Sequence, residues 1–246
     1  MLISIITATY NSQKTIEHTI QSVLSQTYSN IEYIIIDGKS TDETLDIIKK
    51  YEGEISKVIS EPDRGIYDAL NKGIEQATGG VVGFLHADDF YANNQVIENI
   101  VKVFETQKTD SVYGDLEYVS ASNTDKTIRN WQTGNFSLKE LKKGWMPPHP
   151  TFYVKTEVYK KYGNFNLDYK IAADYDLVLR FLGKYKISAT YLPQVLVKMR
   201  MGGASNRSLA NIIQKSKEDY MALKANNIGG IGSLFLKNIR KLGQFF

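Results

Sequence analysis

Two adjacent acidic residues near the middle of the chain could bind a metal ion. Asp88 and Asp89 follow residues 81–85, an apolar run typical of a buried strand, after His86 and Ala87. Carboxylate oxygens are the ligands that Mg²⁺ and Mn²⁺ prefer, and neighbouring strand residues point to opposite sides. One carboxylate could therefore hold a divalent cation while the other accepts a hydrogen bond from a ribose hydroxyl. The simpler alternative is a turn that caps a helix.

A second acidic pair opens a predicted helix over residues 173–182. Asp174 and Asp176 are two positions apart, which on a helix corresponds to roughly 200° of rotation, so they cannot share one target. Asp176 precedes Arg180 by four positions, the spacing of an ordinary surface ion pair. Asp174 lies on the apolar side of the helix, and we expect it to face a cleft, where it could accept a proton as a general base. A carboxylate that only favours the helix dipole is the alternative.

Other candidates occupy predicted loops. His149 is enclosed by two prolines, which would hold it stiffly, although a lone histidine is more often structural. Arg200 could form charge-assisted hydrogen bonds with a diphosphate or simply be solvated. Asp37 ends an apolar run before a predicted helix, and a helix N-terminus suits a nucleotide phosphate; an ordinary turn with an N-cap is the alternative.

Alternating strands and helices must position these side chains. Apolar, β-branched runs predict strands, with helices between them, over residues 2–8, 31–36, 55–59, 81–85 and 111–119. Repeated β-α-β units favour a mostly parallel sheet, whose ligands bind outside the carboxyl ends of the strands. Polar residues follow several of these strands, so we expect one shared site there. The less regular second half predicts a helix at 156–162 and strands at 151–154, 187–191 and 195–199.

The composition argues against several classes of function. The chain has 246 residues, a formal net charge of +3 and no cysteine. This small charge does not indicate nucleic-acid binding, and the missing thiols exclude thiolate metal sites and cysteine nucleophiles. The N-terminus is typical of a strand rather than of a signal peptide, and no apolar run is long enough to span a membrane. We therefore expect a cytoplasmic protein.

The last part of the chain is acid-free. From residue 221 to 246 there is no Asp or Glu, and apolar residues recur at helical spacing in a segment that also holds basic residues: Lys224, Phe235, Lys237, Ile239, Arg240, Lys241, Leu242 and Phe246. Such a helix could lie on an anionic membrane surface. Docking on the protein body or on a second subunit is an equal alternative.

Six ordered motifs make the chain resemble the family 2 glycosyltransferases with the GT-A fold, in particular bacterial enzymes of O-antigen and other surface polysaccharides. The matching segments are IITATYN (5–11), QTY (26–28), IDGKSTD (36–42), DRGIYDALNKG (63–73), FLHADD (84–89) and ADYDLVLR (173–180).

The resemblance implies site residues. Those expected to bind the nucleotide sugar are Thr9, Tyr10, Asn11, Asp37, Arg64, Asp68 and Asp88. Asp89, with Asp88, would hold Mn²⁺ or Mg²⁺, and Asp174 matches the catalytic base. His149 and Arg200 are further active-site candidates.

The resemblance also implies a fold and an activity. We expect an α/β GT-A domain over residues 1–205, with a nucleotide-sugar-binding half (1–118), an acceptor half (119–205) and a helical tail (206–246). The expected reaction is the inverting transfer of a hexose or N-acetylhexosamine from a nucleoside-diphosphate sugar, UDP-sugar being favoured, to a hydroxyl of a saccharide or lipid-linked saccharide. The expected location is the cytoplasm, with peripheral contact at the inner membrane face through the tail.

Two positions depart from the family pattern. Gly38 stands where many relatives carry a second acid, and Ala173 where many carry Glu.

A nucleotidyltransferase or a dehydrogenase would need glycines after the first strand, and residues 9–12 contain none. A non-catalytic nucleotide-sugar-binding protein or synthase subunit remains the alternative.

Overall fold

The computed structural model describes residues 1–202 and 209–242. The predicted boundary at 205/206 and Phe246 of the tail lie outside these ranges. The strands are Ile3–Thr9 (β1), Ile31–Asp37 (β2), Lys57–Ser60 (β3), Val81–Phe84 (β4), Asp89–Tyr91 (β5), Ser111–Val119 (β6), Thr127–Trp131 (β7), Tyr153–Lys155 (β8) and Ala189–Arg200 (β9). The helices are Ile16–Leu24 (α1), Thr44–Lys49 (α2), Ile66–Gln76 (α3), Val96–Thr106 (α4), Leu138–Lys142 (α5), Thr156–Tyr162 (α6), Ala173–Val178 (α7), Leu209–Ala225 (α8) and Ile231–Leu242 (α9).

One sheet runs through the described part of the chain, in the order β3-β2-β1-β4-β8-β6-β9-β5, with β7 beside β6. Strands β3, β2, β1 and β4 are parallel to one another. Strand β8 is antiparallel to both of its neighbours, whereas β6 and β9 are again parallel. The predicted α/β GT-A architecture is confirmed, and the carboxyl ends of β1, β2 and β4 meet at one edge.

Helices cover both faces of the sheet, which explains why its strands are continuous apolar runs rather than alternating ones. Side chains alternate between two cores along each strand: Ile5 packs into one core and Ile6 into the other, as do Ile35 and Ile36 of β2. All seven residues of β1 are buried. Strand β1 is therefore the rigid centre from which the loop after Thr9 projects.

The second half differs from the prediction in several elements. Strand β9 is one strand, not two, and its pairing with β6 shifts register between Tyr113 and Asp115. Pro193 lies at this irregularity and has no N–H to donate, so the apparent break in the sequence is a bulge. His149–Thr151 form a 3₁₀ turn ahead of the short β8, and the predicted helix 173–182 becomes α7 followed by a π-helical segment, Leu179–Lys184.

The two C-terminal helices pack on the body. Ala222, Leu223 and Ile228 belong to the larger hydrophobic core. Lys237 of α9 is buried and forms an ion pair with Asp219 of α8 at 2.8 Å. One face of the tail is thus docked, as one of the two alternatives predicted. No helix of the described ranges is both long and apolar enough to cross a membrane.

Candidate active site

The ends of β1 and β2 bring the first predicted residues side by side. Thr9 pairs with Asp37 in the parallel register, and the N–H of Gly38 donates to the Thr9 carbonyl at 2.8 Å. Asp37 is completely buried, and its carboxylate accepts hydrogen bonds from the N–H of Ser40 at 3.0 Å and the hydroxyl of Ser60 at 2.6 Å. Asp37 therefore holds the loop between β2 and α2, and its role towards a nucleoside stays a prediction.

Tyr10 and Asn11 form the turn after β1. Asn11 has a positive φ of 50°, its N–H donates to Ser40, and its side-chain oxygen accepts the N–H of Thr41 at 2.8 Å. Tyr10 is 62% exposed. Asn11 thus serves the loop, whereas the Tyr10 ring is open to a ligand. The buried hydroxyl of Thr9 has no hydrogen-bond partner within the described ranges.

Arg64 and Asp68 form an ion pair at the start of α3. Arg64 donates from its guanidinium and from its backbone N–H to the Asp68 carboxylate, both at 3.0 Å. These bonds lower the pKa of Asp68. The arginine is exposed whereas the aspartate is mostly covered. The predicted pair is therefore together at a helix N-terminus, with the guanidinium facing solvent.

Asp88 lies in the turn between β4 and β5, and Asp89 is the first residue of β5. Asp89 is buried, one of its carboxylate oxygens accepts the N–H of Arg200 at 3.3 Å, and the other has no hydrogen-bond partner among the described residues. Burial, followed by the charge of Asp88, raises the pKa of Asp89 well above its ordinary value. A buried carboxylate oxygen without a partner is costly.

A divalent cation fits this arrangement. The orphaned oxygen of Asp89, next to Asp88, offers the hard oxygen ligands that Mg²⁺ and Mn²⁺ prefer. Within residues 1–202 and 209–242 there is no cluster of three or more His, Cys, Asp or Glu that could hold a metal by itself. The remaining ligands would therefore come from a substrate's oxygens and water, as is common for Mg²⁺.

Arg200 supplies positive charge beside these carboxylates. Its guanidinium donates to the carbonyl of Asp88, lies 4.9 Å from the ring centre of Phe90 and contacts the imidazole of His18. His18 stacks on Phe90 with ring centres 4.3 Å apart. Burial and the Arg200 charge lower the pKa of His18. Our sequence analysis did not single out His18, which sits within α1 in no recognisable motif.

Asp174 is the half-exposed residue of an otherwise buried α7. Its Oδ1 accepts the N–H of Tyr175 at 2.8 Å and lies 3.2 Å from the hydroxyl of Tyr67. That hydroxyl also bonds the Ile171 carbonyl at 2.8 Å. Burial, followed by the charge of Asp174, raises the pKa of Tyr67 well above its ordinary value, so the phenol stays protonated and acts as a donor. Tyr67 therefore connects α3 to the predicted base.

Two histidines lie within range of the Asp174 charge. The rings of His86 and His149 are 5.9 Å apart, and His149 stacks on Phe84. Burial lowers the pKa of His149 to about 4, although the charge of Asp174 opposes this shift. Burial also lowers the pKa of His86, against the opposing charges of Asp88 and Asp174. Both imidazoles are therefore neutral at pH 7. Each has a buried ring nitrogen with no hydrogen-bond partner in the described part of the chain.

The charges of Asp88 and Asp174 both act on the buried His86, so the two carboxylates lie within electrostatic range of one imidazole. Both carboxylates influence His86, and both Asp89 and Asp174 raise the pKa of Tyr118, after burial. The site thus brings together carboxylates from the two halves of the chain.

Asp176 departs from the prediction in its surroundings. It does pair with Arg180, at 3.6 Å, but the carboxylate is buried and also accepts a 2.8 Å hydrogen bond from the side chain of Asn226. The expected surface pair is therefore an internal one. The tail helix α8 covers it, which the local helical spacing could not indicate.

Glu218 of α8 holds the loop that leads into α7. Its carboxylate accepts the backbone N–H groups of Lys170, Ile171 and Ala172 at 3.1, 2.8 and 2.9 Å. Burial alone would raise the pKa of Glu218, but the hydrogen bonds from Gln214 and from these backbone groups outweigh it and lower the pKa. Sequence analysis missed this residue, because a single Glu in an amphipathic helix carries no distinguishing signal.

Comparisons with known proteins identify the family of the chain. The family described as "Glycosyl transferase family 2" matches residues 4–164. A PGL/p-HBAD biosynthesis glycosyltransferase of Mycobacterium bovis is 31% identical over 210 residues, which cover 83% of this chain and 79% of the relative. An uncharacterized glycosyltransferase of Nostoc sp. is 34% identical over 227 residues, covering 85% of this chain and 68% of that protein.

Solved structures share the fold. TarS of S. aureus in complex with UDP-GlcNAc superposes with a TM-score of 0.74 at 19% identity over 93% of this chain; the match spans 66% of the TarS chain, just under two thirds of its length. The mannosyltransferase PcManGT of Pyrobaculum calidifontis, in complex with GDP-Man and Mn²⁺, has a TM-score of 0.67 at 18% identity, covering 98% of this chain and 70% of that one.

Proposed function

The chain belongs to glycosyl transferase family 2 and is a glycosyltransferase, and we propose that it transfers a hexose or N-acetylhexosamine from a nucleoside-diphosphate sugar to a hydroxyl group with inversion. A UDP-sugar is the favoured donor, and a saccharide or lipid-linked saccharide of surface polysaccharide biosynthesis is the acceptor. The neighbours support this donor class, because they include complexes with UDP-GlcNAc and GDP-Man.

The observation that carries the proposal is that two differently equipped carboxylates, Asp89 and Asp174, lie close enough to act on the same side chain, Tyr118. Asp89 is buried with an orphaned oxygen, as a cation ligand requires, whereas Asp174 is half exposed and held by Tyr67. A bound Mn²⁺ or Mg²⁺ would neutralise charge on the departing diphosphate. Arg200, beside Asp88, is placed to add charge-assisted hydrogen bonds to the same group.

Asp174 is the proposed general base. The acceptor oxygen attacks the anomeric carbon, the bond from that carbon to the phosphate oxygen breaks, and the nucleoside diphosphate leaves with the electron pair. Asp174 takes the acceptor's proton. Because Oδ1 already accepts the Tyr175 N–H, the proton passes to Oδ2, for which the described residues provide no donor. The neutral His86 and His149 lie within reach of the Asp174 charge, and because their unpartnered ring nitrogens are buried we assign them to shaping the site rather than to binding the acceptor.

A screen of nucleotide sugars for Mn²⁺-dependent release of nucleoside diphosphate tests the proposal, with an EDTA-treated sample as control. Release from a UDP-sugar in the presence of saccharide acceptors supports it. Tight binding of a donor in calorimetry without release under any acceptor condition would instead favour the non-catalytic alternative, a nucleotide-sugar-binding or synthase partner subunit.

The outer face of α9 is proposed to contact an anionic membrane surface. Ile231, Phe235 and Ile239 are exposed on a helix whose opposite face is docked. No acid occurs from residue 221 onwards, whereas Lys224 and Arg240 are basic; this charge favours anionic lipid and disfavours a second copy of the same face. Co-sedimentation with anionic but not zwitterionic vesicles, weakened by Phe235→Ser, is the expected result, and equal recovery with both vesicles would refute it.

A further inference from the structure

The carboxylate of Asp63 fills the space that a side chain at Gly38 would need. A Cβ atom built on Gly38 would lie 2.5 Å from Oδ2 of Asp63 and 3.4 Å from Cδ2 of Tyr10. A contact of 2.5 Å is too close for any side chain, so a residue other than glycine at position 38 would displace the Asp63 carboxylate from this place. Gly38 directly follows Asp37, at the carboxyl end of β2.

The two oxygens of Asp63 have different surroundings. Oδ1 accepts the N–H of Gly65 at 2.9 Å, which fixes the side chain against the start of α3. Oδ2 points towards Gly38 and the Tyr10 ring, and no hydrogen bond to it is found among the described residues. One oxygen is therefore anchored, and the other is an open acceptor beside an exposed aromatic ring at the ligand-binding edge of the sheet.

We propose that Oδ2 of Asp63 accepts the ring N–H of the donor's nucleobase, with the Tyr10 ring packed against the base, and that this selects uracil. The inference rests on the proposed function, a nucleoside-diphosphate-sugar donor. A single open oxygen matches the single N3–H of uracil. Guanine presents two adjacent N–H donors, one of which would be left unpaired. Cytosine and adenine place a ring-nitrogen lone pair beside their amino group, which a carboxylate repels.

The position of the carboxylate, not only its charge, can be tested by moving it. Gly38 does not have a positive φ, and without the Asp63 carboxylate its Cβ would meet only the ordinary 3.4 Å contact with Tyr10. An aspartate at position 38 therefore fits the backbone once Asp63 is shortened. The double variant G38D/D63A would deliver a carboxylate to the same space from the neighbouring strand.

Calorimetric titration with UDP and with N3-methyl-UDP, both with Mn²⁺, measures the effect. We expect Asp63→Ala to weaken UDP binding by about tenfold or more, because a hydrogen bond to a charged acceptor is lost. Gly38→Asp alone should weaken it as well, whereas G38D/D63A should recover to within about threefold of the wild type. N3-methyl-UDP should bind the wild type about tenfold or more less tightly than UDP, and Asp63→Ala should not discriminate between the two. Glu61→Ala is the matched control, because it removes an exposed acid of the same loop that pairs with Lys72.

The outcomes separate this inference from the proposed function. A wild type that binds UDP and N3-methyl-UDP equally, or an Asp63→Ala variant that keeps the wild-type preference, overturns the assignment of Asp63 and leaves the donor class intact. A wild type that binds GDP but not UDP overturns both the uracil selection and the favoured donor. If Asp63→Ala does not fold, the wild-type ratio of the two nucleotides and the double variant decide the question.

Discussion

Removing Glu218 should disturb the predicted catalytic base from a distance. Glu218→Ala deletes the acceptor for the N–H groups of Lys170, Ile171 and Ala172. Hydrogen bonds to a charged group contribute about 1.5–3 kcal/mol each, but such values are not additive. Lys170 is exposed and can bond water instead, whereas Ala172 is fully buried and cannot. We therefore expect a loss of about 3 kcal/mol in unfolding free energy, which for a chain of this size lowers Tm by roughly 6–12 °C.

Activity should fall because the loop before α7 would shift without Glu218. Ala172 lies two residues before Asp174, and a misplacement of about 1 Å can cost roughly 10²-fold in rate. We expect kcat to fall by about that factor in Glu218→Ala while the KM for the donor changes little, because the donor residues are elsewhere. Glu218→Gln keeps one acceptor oxygen. We therefore expect about half of the stability loss of Glu218→Ala and a kcat roughly tenfold below that of the wild type.

The pH dependence carries an independent check. The pKa of Glu218 is lower in the folded protein than its ordinary value of about 4.3. Its stabilising contribution is therefore fully present above that pH and is lost as the pH falls through the folded-state pKa. The Tm difference between wild type and Glu218→Gln should shrink below about pH 4. Thermal unfolding and steady-state kinetics measure these effects, with Gln214→Ala as the control that removes only one side-chain donor. A Glu218→Ala protein with wild-type Tm and kcat would refute the reasoning.

Three further substitutions test other parts of the structure. Asp174→Asn should lower turnover by about 10²–10⁴-fold with donor affinity unchanged, and near-normal turnover would reject Asp174 as the base. Asp89→Asn should abolish the Mn²⁺-dependent part of donor binding in calorimetry; if Mn²⁺ still strengthens binding, Asp89 is not a metal ligand. Gly144→Ala should destabilise the protein by about 1–3 kcal/mol, because Gly144 has a φ of +82° and its Cβ would lie 2.4 Å from Cβ of Lys237; an unchanged Tm would show that α9 can shift without cost.

The sequence allowed strands β1, β2 and β4 to be predicted because each is dominated by apolar, mostly β-branched residues. Residues 31–36, for example, were predicted as a strand, and β2 spans Ile31–Asp37. Strands β5 and β7 were missed. β5 has only three residues and begins at Asp89, so its order depends on pairing with β9, which lies about a hundred residues away in the chain. Short strands of this kind are determined by tertiary contacts, which local patterns do not contain.

The carboxylates of the candidate site could be predicted from the sequence, but the residues that surround and position them could not. Asp89 and Asp174 stand in motifs that point to their chemistry, whereas His18 and Glu218 stand in no motif and Tyr67 acts through a partner far away in the chain. Tyr67 reaches Asp174 across 107 positions. The Gly38 position looked like a missing acid from the sequence, and only the spatial proximity of Asp63 reveals a carboxylate at that place.

The buried charges under α9 set a limit on how the chain can be shortened. Asp219 is enclosed with Lys215 and Lys237, and the Lys237 ammonium lies 3.1 Å from the ring centre of Tyr175, the neighbour of Asp174. A recombinant version ending before residue 237 would leave Asp219 with one cation instead of two and would uncover the aromatic ring next to the predicted base. Trimming the C-terminus to improve solubility would therefore remove contacts that stabilise the fold near Asp174. Expressed versions of the protein should include the whole of α9.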